Sequence, residues 1–309
     1  MKLLYMGTPQ FAVLPLLTLV EAGHEVVAVV TRIDKPAGRG RTLTVPAVKR
    51  AALERGLTVY QPKRVREPEF IDTLRALGPE AIIVAAYGQI LPPDILTLPK
   101  YGCINIHASL LPRYRGAAPI TWAIVRGETE TGNTIMQMDA GMDTGAILLQ
   151  ESIPIEPNDT AGTLTEKLSL LGARLITRAL PLIAAGKLTP TTQDNSRATL
   201  APLLKKEDGR IDWERGAREI HDRVRGMSPW PGAYTVLDNK IVKLIVSAVA
   251  EGSAEPGRLL EKDRNTLLAG TGSGLLQLLT LQPEGKKPMS AAEFLRGHRG
   301  VAGKTFDAR

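Results

Sequence analysis

Residues 2–31 read KLLYMGTPQFAVLPLLTLVEAGHEVVAVVT, and this stretch decides the fold. It opens with a short apolar run that stops at Gly7, as a first strand would. Apolar residues then recur at helical spacing from Phe11 to Ala22, with Gly23 as the stop. Residues 25–31, EVVAVVT, return to β-branched chemistry and predict a second strand. The same rhythm continues outward. Residues 46–55 predict a helix closed by Gly56, 57–60 a short strand, and 67–77 a helix ended by Gly78 and Pro79. Residues 81–86 (AIIVAA) form an almost unbroken apolar run, the mark of a central parallel strand buried on both faces, and 102–107 predict the next strand. Strands alternating with helices give a doubly wound, Rossmann-like α/β domain. Ligands of such sheets lie beyond the carboxyl ends of the strands, so chemistry is expected just after Tyr5, Ala86 and Ile106.

Strands are also predicted at 133–138 and 145–154, followed by a long helical stretch at 160–185, interrupted at Gly172 and Pro181. The pattern then changes. Residues 186–204 carry Pro190, a polar cluster and Pro202, and read as a linker. Beyond them come a helix at 211–227 and short strands at 233–237, 241–249, 266–269 and 275–281, separated by turn signals. That spacing predicts a small OB-like β-barrel. The expected organisation is an α/β domain at 1–188, a linker at 189–206 and a β-barrel domain at 207–309.

Composition bounds the function. The chain has 309 residues, enough for one large domain or two ordinary ones, and 43% hydrophobic with 23% charged residues is ordinary for a globular protein. Cys103 is alone, which excludes an intrachain disulfide and a multi-cysteine metal site; it is expected as a buried, inert thiol and is consistent with a reducing cytoplasm. Gly7, Thr8, Pro9 and Gln10 break the N-terminal apolar run, so no secretory segment is expected, and no stretch is long and apolar enough to predict a membrane span. The net charge of +7 is unevenly spread: residues 32–66 carry +8, residues 189–309 carry +4, and the remainder is acidic. A concentrated basic stretch suits a polyanion contact or, equally, a solvated loop.

The densest run of reactive residue types is NIHASLLP at 105–112. Asn105 and His107 are two apart, so an extended strand projects both from one face. An amide and an imidazole aimed at one point can stabilise an oxygen that becomes negative during reaction, although a hydrogen-bonded structural pair would also account for them. The run MDAGMDTG at 138–145 specifies a sharply turning loop; its acids can serve Asx-turns, or an imidazole. GTPQFA at 7–12 lacks the second and third glycines of a dinucleotide loop, which disfavours a nicotinamide cofactor.

Together, Asn105-Ile106-His107, Ser109-Leu110-Leu111-Pro112 and Asp143-Thr144-Gly145 resemble the folate-dependent formyltransferase superfamily. GTPQFA at 7–12, DKPAGRGR at 34–41, AAYGQILP at 85–92, SLLPRYRGAAPI at 109–120, TGNTIMQMDAGMDTG at 131–145, PWPGAY at 229–234 and LQPEGKKPMSAAEFLRG at 281–297 are similar to the branch acting on methionyl-tRNA. The resemblance implies an N-terminal formyltransferase domain and a C-terminal barrel-like, tRNA-binding domain. It implies transfer of the formyl group of 10-formyltetrahydrofolate to methionine on initiator tRNA, with no metal and no nicotinamide, by a cytoplasmic monomer. It assigns catalysis to Asn105, His107 and Asp143, folate contacts to Ser109, Leu110, Leu111, Pro112 and the backbone of Gln89, Ile90 and Leu91, and the acceptor end of tRNA to Lys35, Arg39 and Arg41. Arg223, Arg225, Lys240, Lys243, Lys286 and Lys287 are weaker candidates for the tRNA body, and Trp230 is expected as a packing anchor. Another formyl acceptor, a non-catalytic RNA-binding role and a nicotinamide dehydrogenase are the rival readings.

Overall fold

A computed structural model describes residues 1–37 and 42–307, in two compact units. The first comprises Met1–Pro119, Glu130–Pro154 and Thr165–Pro202; the second comprises Ile120–Thr129, Ile155–Leu164 and Leu203–Arg309.

In the first unit β1 (Lys2–Gly7), α1 (Val13–Glu21) and β2 (Glu25–Val30) realise the opening pattern, and β1 pairs with β2 in parallel. Two short strands, β3 (Lys35–Ala37) and β4 (Thr42–Thr44), form an antiparallel ladder in the basic stretch. Then follow α2 (Ala47–Glu54), β5 (Val59–Tyr60), α3 (Pro68–Leu77), β6 (Ala81–Ala85), α4 (Pro93–Leu96) and β7 (Cys103–His107). After β8 (Arg115–Gly116), α5 (Pro119–Val125) belongs almost wholly to the second unit; the chain then adds β9 (Glu130–Gln137), β10 (Ile147–Pro154), α6 (Ala161–Ala184), whose first turn also falls in the second unit, and β11 (Leu200–Ala201). The main sheet runs β10-β9-β7-β6-β1-β2-β5. Its five strands from β7 to β5 are parallel, while β9 and β10 are antiparallel. Every residue of β6 is buried, as its apolar run requires of a strand covered on both faces.

Two local expectations change. The helix α6 runs unbroken through Gly172 and Pro181. A Cβ on Gly172 would lie 2.6 Å from Asn133 Nδ2 and 2.8 Å from Ile106 Cγ2, so the glycine permits close approach of helix to sheet rather than ending the helix. Pro181 falls in the last turn, where little of the helix remains to be disturbed. The polar segment after α6 is also ordered: Thr191 bridges Ile147, β11 pairs in parallel with β8, and residues through Pro202 belong to the first unit.

The second unit is built on α7 (Ala217–Gly226), β12 (Ala233–Leu237), β13 (Lys240–Ala250), β14 (Leu259–Asp263), β15 (Thr266–Gly270), β16 (Leu275–Pro283), β17 (Met289–Ser290) and α8 (Ala291–Gly297). The strands form one antiparallel sheet ordered β12-β13-β16-β15-β14, with β17 on β16. Asp238 and Asn239 turn β12 into β13 with φ of 50° and 61°, the paired left-handed residues of a two-residue hairpin. The predicted helix at 211–227 begins only at Ala217. Ile211 and Trp213 are buried and Asp212 is not, a period of two, and Ile211 N donates to Tyr234 O. Trp213 stacks on Phe306 with centroids 5.0 Å apart and donates through Nε1 to Thr235 Oγ1 at 2.9 Å. Phe306→Ala is expected to cost about 3–5 kcal/mol in the thermal unfolding of this unit, because both stacking partners are buried.

Candidate active site

β7 carries Asn105 and His107 to the carboxyl edge of the sheet, beside the end of β6, since Val84 pairs with Asn105. Both side chains are nearly sealed from solvent, with Asn105 8% and His107 6% exposed. The third group comes from the turn between β9 and β10. There Asp139 Oδ1 accepts from Gly141 N at 3.0 Å and Thr144 Oγ1 at 2.7 Å, an Asx-turn that accounts for this acid structurally. Asp143 differs. Its backbone is left-handed, with φ of 54°, and its carboxylate points back at β7. Oδ1 lies 3.5 Å from Asn105 Nδ2 and 3.6 Å from His107 Nδ1, while Oδ2 accepts from Gly116 N at 2.8 Å. The structure therefore brings amide, imidazole and carboxylate together around one point.

The ring of His107 has a defined orientation. Its Nε2 is 2.9 Å from Tyr114 O. A carbonyl only accepts, so Nε2 carries hydrogen, and Nδ1, facing Asp143, is the nitrogen left for chemistry. Bare, it takes a proton; protonated, it donates a hydrogen bond.

The segment 109–112 is pinned beside these groups. Ser109 Oγ donates to Arg113 O at 2.6 Å, and Thr134 Oγ1 donates to Ser109 O at 2.6 Å. The same Thr134 oxygen accepts from Leu111 N at 3.1 Å and Gln150 Nε2 at 2.8 Å. Ser109 and Leu111 are buried, Leu110 and Pro112 half-buried. In the turn after β6, Gln89 Oε1 accepts from Val65 N and its Nε2 donates to the Tyr87 hydroxyl. Burial pushes the Tyr87 phenol up to about 12, so it stays a neutral hydrogen-bonding partner. Leu91 is buried, but Ile90 stands 90% exposed, an apolar side chain presented to water at the sheet's rim.

Of the residues expected at tRNA, Lys35 is exposed at the start of β3, whereas Arg39 and Arg41 lie outside the described residues. Just before β3, Asp34 is held below the usual carboxylate range by hydrogen bonds from Gln61 and Lys49. In the second unit Lys240, Lys243, Lys286 and Lys287 are exposed. Arg225 is not a surface cation: it is 9% exposed, pairs with Asp222 at 2.8 Å and donates to Asp159 O. Arg223 is half-buried and donates to Asp208 O at 2.6 Å. Trp230, expected as an anchor, is 53% exposed. Cys103 is buried, and burial pushes its thiol up to about 12, leaving it inert as expected.

Four partners escaped the reading of the sequence: the Tyr114 carbonyl, the Gly116 amide, Thr134 and Gln193. Two are backbone atoms that any residue supplies. Gln193 sat in a polar cluster whose composition signals only a loop. Among the described residues no group of three or more His, Cys, Asp or Glu could hold a metal ion, and no helix is long and apolar enough to cross a membrane.

The family model described as formyl transferase matches residues 1–180, and that described as formyl transferase, C-terminal domain, matches 203–299. The chain is 52% identical over 299 residues to the methionyl-tRNA formyltransferase of Geobacter sulfurreducens, covering 97% of this chain and 94% of that one. It is 50% identical over 300 residues to the methionyl-tRNA formyltransferase of Pelotomaculum thermopropionicum, covering 96% of each. Among solved structures it is similar to WlaRD, a sugar 3N-formyl transferase crystallised with dTDP and 5-N-formyl-THF, with TM-score 0.67 and 20% identity over 93% of this chain and 99% of that one. It is also similar to HypX from Aquifex aeolicus in complex with tetrahydrofolic acid, with TM-score 0.64 and 18% identity over 99% of this chain and 50% of that one. At these identities the structural likeness speaks for the fold.

Proposed function

This chain belongs to the formyl transferase family, and we propose that it moves the formyl group of 10-formyltetrahydrofolate onto the α-amine of methionine carried by initiator tRNA. It is a formyl-transferring enzyme, and formylation of methionyl-tRNA is the activity for which its relatives are named. The observation that carries the mechanism is the convergence of Asn105, His107 and Asp143 on one point at the strand ends.

The nucleophile belongs to the acceptor, so the chain needs no reactive Ser or Cys. As the amine adds to the formyl carbon, negative charge gathers on the formyl oxygen. Asn105 Nδ2 donates to that oxygen, and His107, protonated on Nδ1, donates from the second side. A preorganised donor of this kind contributes about 2.7–4 kcal/mol to the barrier. Asp143 holds the imidazole and takes up, directly or through water, the proton the amine must lose. That proton passes on to the folate nitrogen as its bond to the formyl carbon breaks, so the nitrogen leaves as a neutral amine and the charge balances. The contacts of Asp143 at 3.5 and 3.6 Å are longer than strong hydrogen bonds, and catalytic contacts of this kind tighten as the reacting groups bind.

The folate is assigned to the rim between 89–91 and 109–112. Exposed Ile90 offers an apolar wall for a flat pterin ring, and the pinned turn at 109–112 a fixed second wall. Thr134→Val keeps shape but strips the hydroxyl that joins Ser109 O, Leu111 N and Gln150 Nε2. It is expected to raise KM for the folate about tenfold, with a smaller change in kcat, in steady-state formylation assays. Lys35, Arg39 and Arg41 are assigned to the acceptor end of the tRNA, and the exposed lysines of the second unit to its phosphates. The reaction is placed in the cytoplasm, where translation starts.

The test offers the purified chain 10-formyltetrahydrofolate with four acceptors: methionyl-tRNA, free methionine, a nucleotide-linked amino sugar and glycinamide ribonucleotide. Formylation of methionyl-tRNA by far the fastest is the expected result. A preference for either nucleotide-linked amine would reassign the acceptor, and binding of tRNA without transfer would make the chain a non-catalytic RNA-binding protein.

A further inference from the structure

We propose that Gln193, oriented by the buried Arg115, is a positioning residue that holds the Asp143 carboxylate in register with Asn105 and His107. The proposal rests on the formyl-transfer reading of that site.

Arg115 is 7% exposed, yet it forms no ion pair with a carboxylate among the described residues. Its Nε and Nη2 both donate to Gln193 Oε1, at 3.0 and 2.7 Å, and Nη2 also donates to Asn195 Oδ1 at 2.8 Å. A guanidinium has donors and no acceptor, so Oε1 is obliged to face it. The other end of the amide is thereby turned toward the catalytic loop. Gln193 Nε2 donates to Asp143 O at 2.8 Å and to Gly145 O at 2.7 Å. These two carbonyls span the left-handed Asp143 and the residues that follow it, so both bonds from Gln193 fix the turn that aims the carboxylate.

The neighbouring residue grips the same aspartate from its other side. Gly116 N, next after Arg115 in β8, donates to Asp143 Oδ2 at 2.8 Å, and β8 is itself fixed by pairing with β11. One pair of strand residues thus controls both ends of Asp143: the carboxylate directly, the main chain through Gln193. The use of a neutral spacer matters chemically. A guanidinium paired directly with Asp143 would satisfy its charge and withdraw it from His107. Routed through an amide, the buried cation polarises the Nε2 donors and leaves Oδ1 facing Asn105 and His107. Segment 191–201, part of the first unit, therefore supplies the support of the catalytic acid.

The experiment uses the full chain with Gln193→Met, which keeps length and removes every hydrogen bond, and Gln193→Glu, which keeps acceptors for Arg115 but loses both donors to the loop. Each is expected to lower kcat about 10–100-fold, the usual cost of removing a supporting hydrogen-bond partner, with KM for 10-formyltetrahydrofolate changed less than about threefold. The Gly116 amide resonance is expected to move upfield in both as its bond to Asp143 lengthens. Gln193→Glu keeps its link to Arg115, so its melting temperature should stay near that of the parent chain while kcat falls. An unchanged kcat and an unmoved Gly116 amide would overturn the proposal, as would a loss of activity that only tracks the unfolded fraction. Absence of formylation by the parent chain would instead sink the functional reading, and the Gly116 resonance, which needs no substrate, would still decide whether Gln193 positions Asp143.

Discussion

Asp143→Ala, His107→Ala and Asn105→Ala are each expected to lower formyl transfer about 10²–10⁴-fold while the chain stays folded. The three groups face one another across 3.5 and 3.6 Å and contribute little to either core, so their loss should be felt in turnover rather than stability. Asp143→Asn sharpens the case. It preserves an oxygen for the Gly116 amide but replaces the charge that faces His107 Nδ1. If the carboxylate serves only to close its loop, Asp143→Asn will work almost as well as the parent; if it serves the imidazole, turnover falls nearly as far as with alanine. Steady-state formylation rates beside thermal unfolding separate these outcomes. Near-parent turnover in any two of the three alanine variants would remove the assignment.

Gly116→Ala is expected to have the second largest effect, and for a reason that begins in the backbone. Gly116 has φ of 120°, a region that residues with a side chain rarely adopt, and an added Cβ would lie 2.6 Å from Ala201 O. Relief of that clash means separating β8 from β11, which carries the Gly116 amide away from Asp143. A stability loss of about 1–3 kcal/mol should appear in denaturant unfolding, together with a fall in turnover of about a hundredfold. Gly56→Ala is the control. Its φ of 67° is also left-handed, but nothing lies within 4 Å of the added Cβ, so it should show a modest stability loss and unchanged turnover. Equal activity losses in both variants would mean that general destabilisation, not displacement of Asp143, is responsible.

How much of this was legible in the amino-acid order depends on the kind of signal. The opening strand-helix-strand and the apolar run at 81–85 could be read directly, because periodicity and burial on both faces leave a compositional trace. Asn105 and His107 were visible as a same-face pair on a strand, and their geometry follows from that alone. Turn chemistry alone left Asp143 as one of two acids in a loop, and only the family resemblance singled it out; the coordinates give Asp139 to the Asx-turn and aim Asp143 at β7. Gly172 misled, since a glycine at a close helix-sheet contact looks in sequence like one that ends a helix. Strand β14 was missed because its residues LLEKD become charged halfway along, and α8 because a capping box at Ser290 and Glu293 opens only two turns of helix. Arg225 illustrates the limit of charge counting: charge alone does not say which way a cation on an amphipathic helix faces, and here it is paired with Asp222 beneath the surface. Gln193 left no trace at all, because its role depends on a guanidinium far away in sequence.

The most direct measurement is a crystal structure of the chain with 5-formyltetrahydrofolate, a stable formyl-bearing folate. The pteridine is expected at the rim formed by 89–91 and 109–112, with the formyl group directed at Asn105 Nδ2 and His107 Nδ1, its carbon within about 4 Å of the two and of Asp143. A folate bound elsewhere, or one whose formyl group points away from all three side chains, would contradict it.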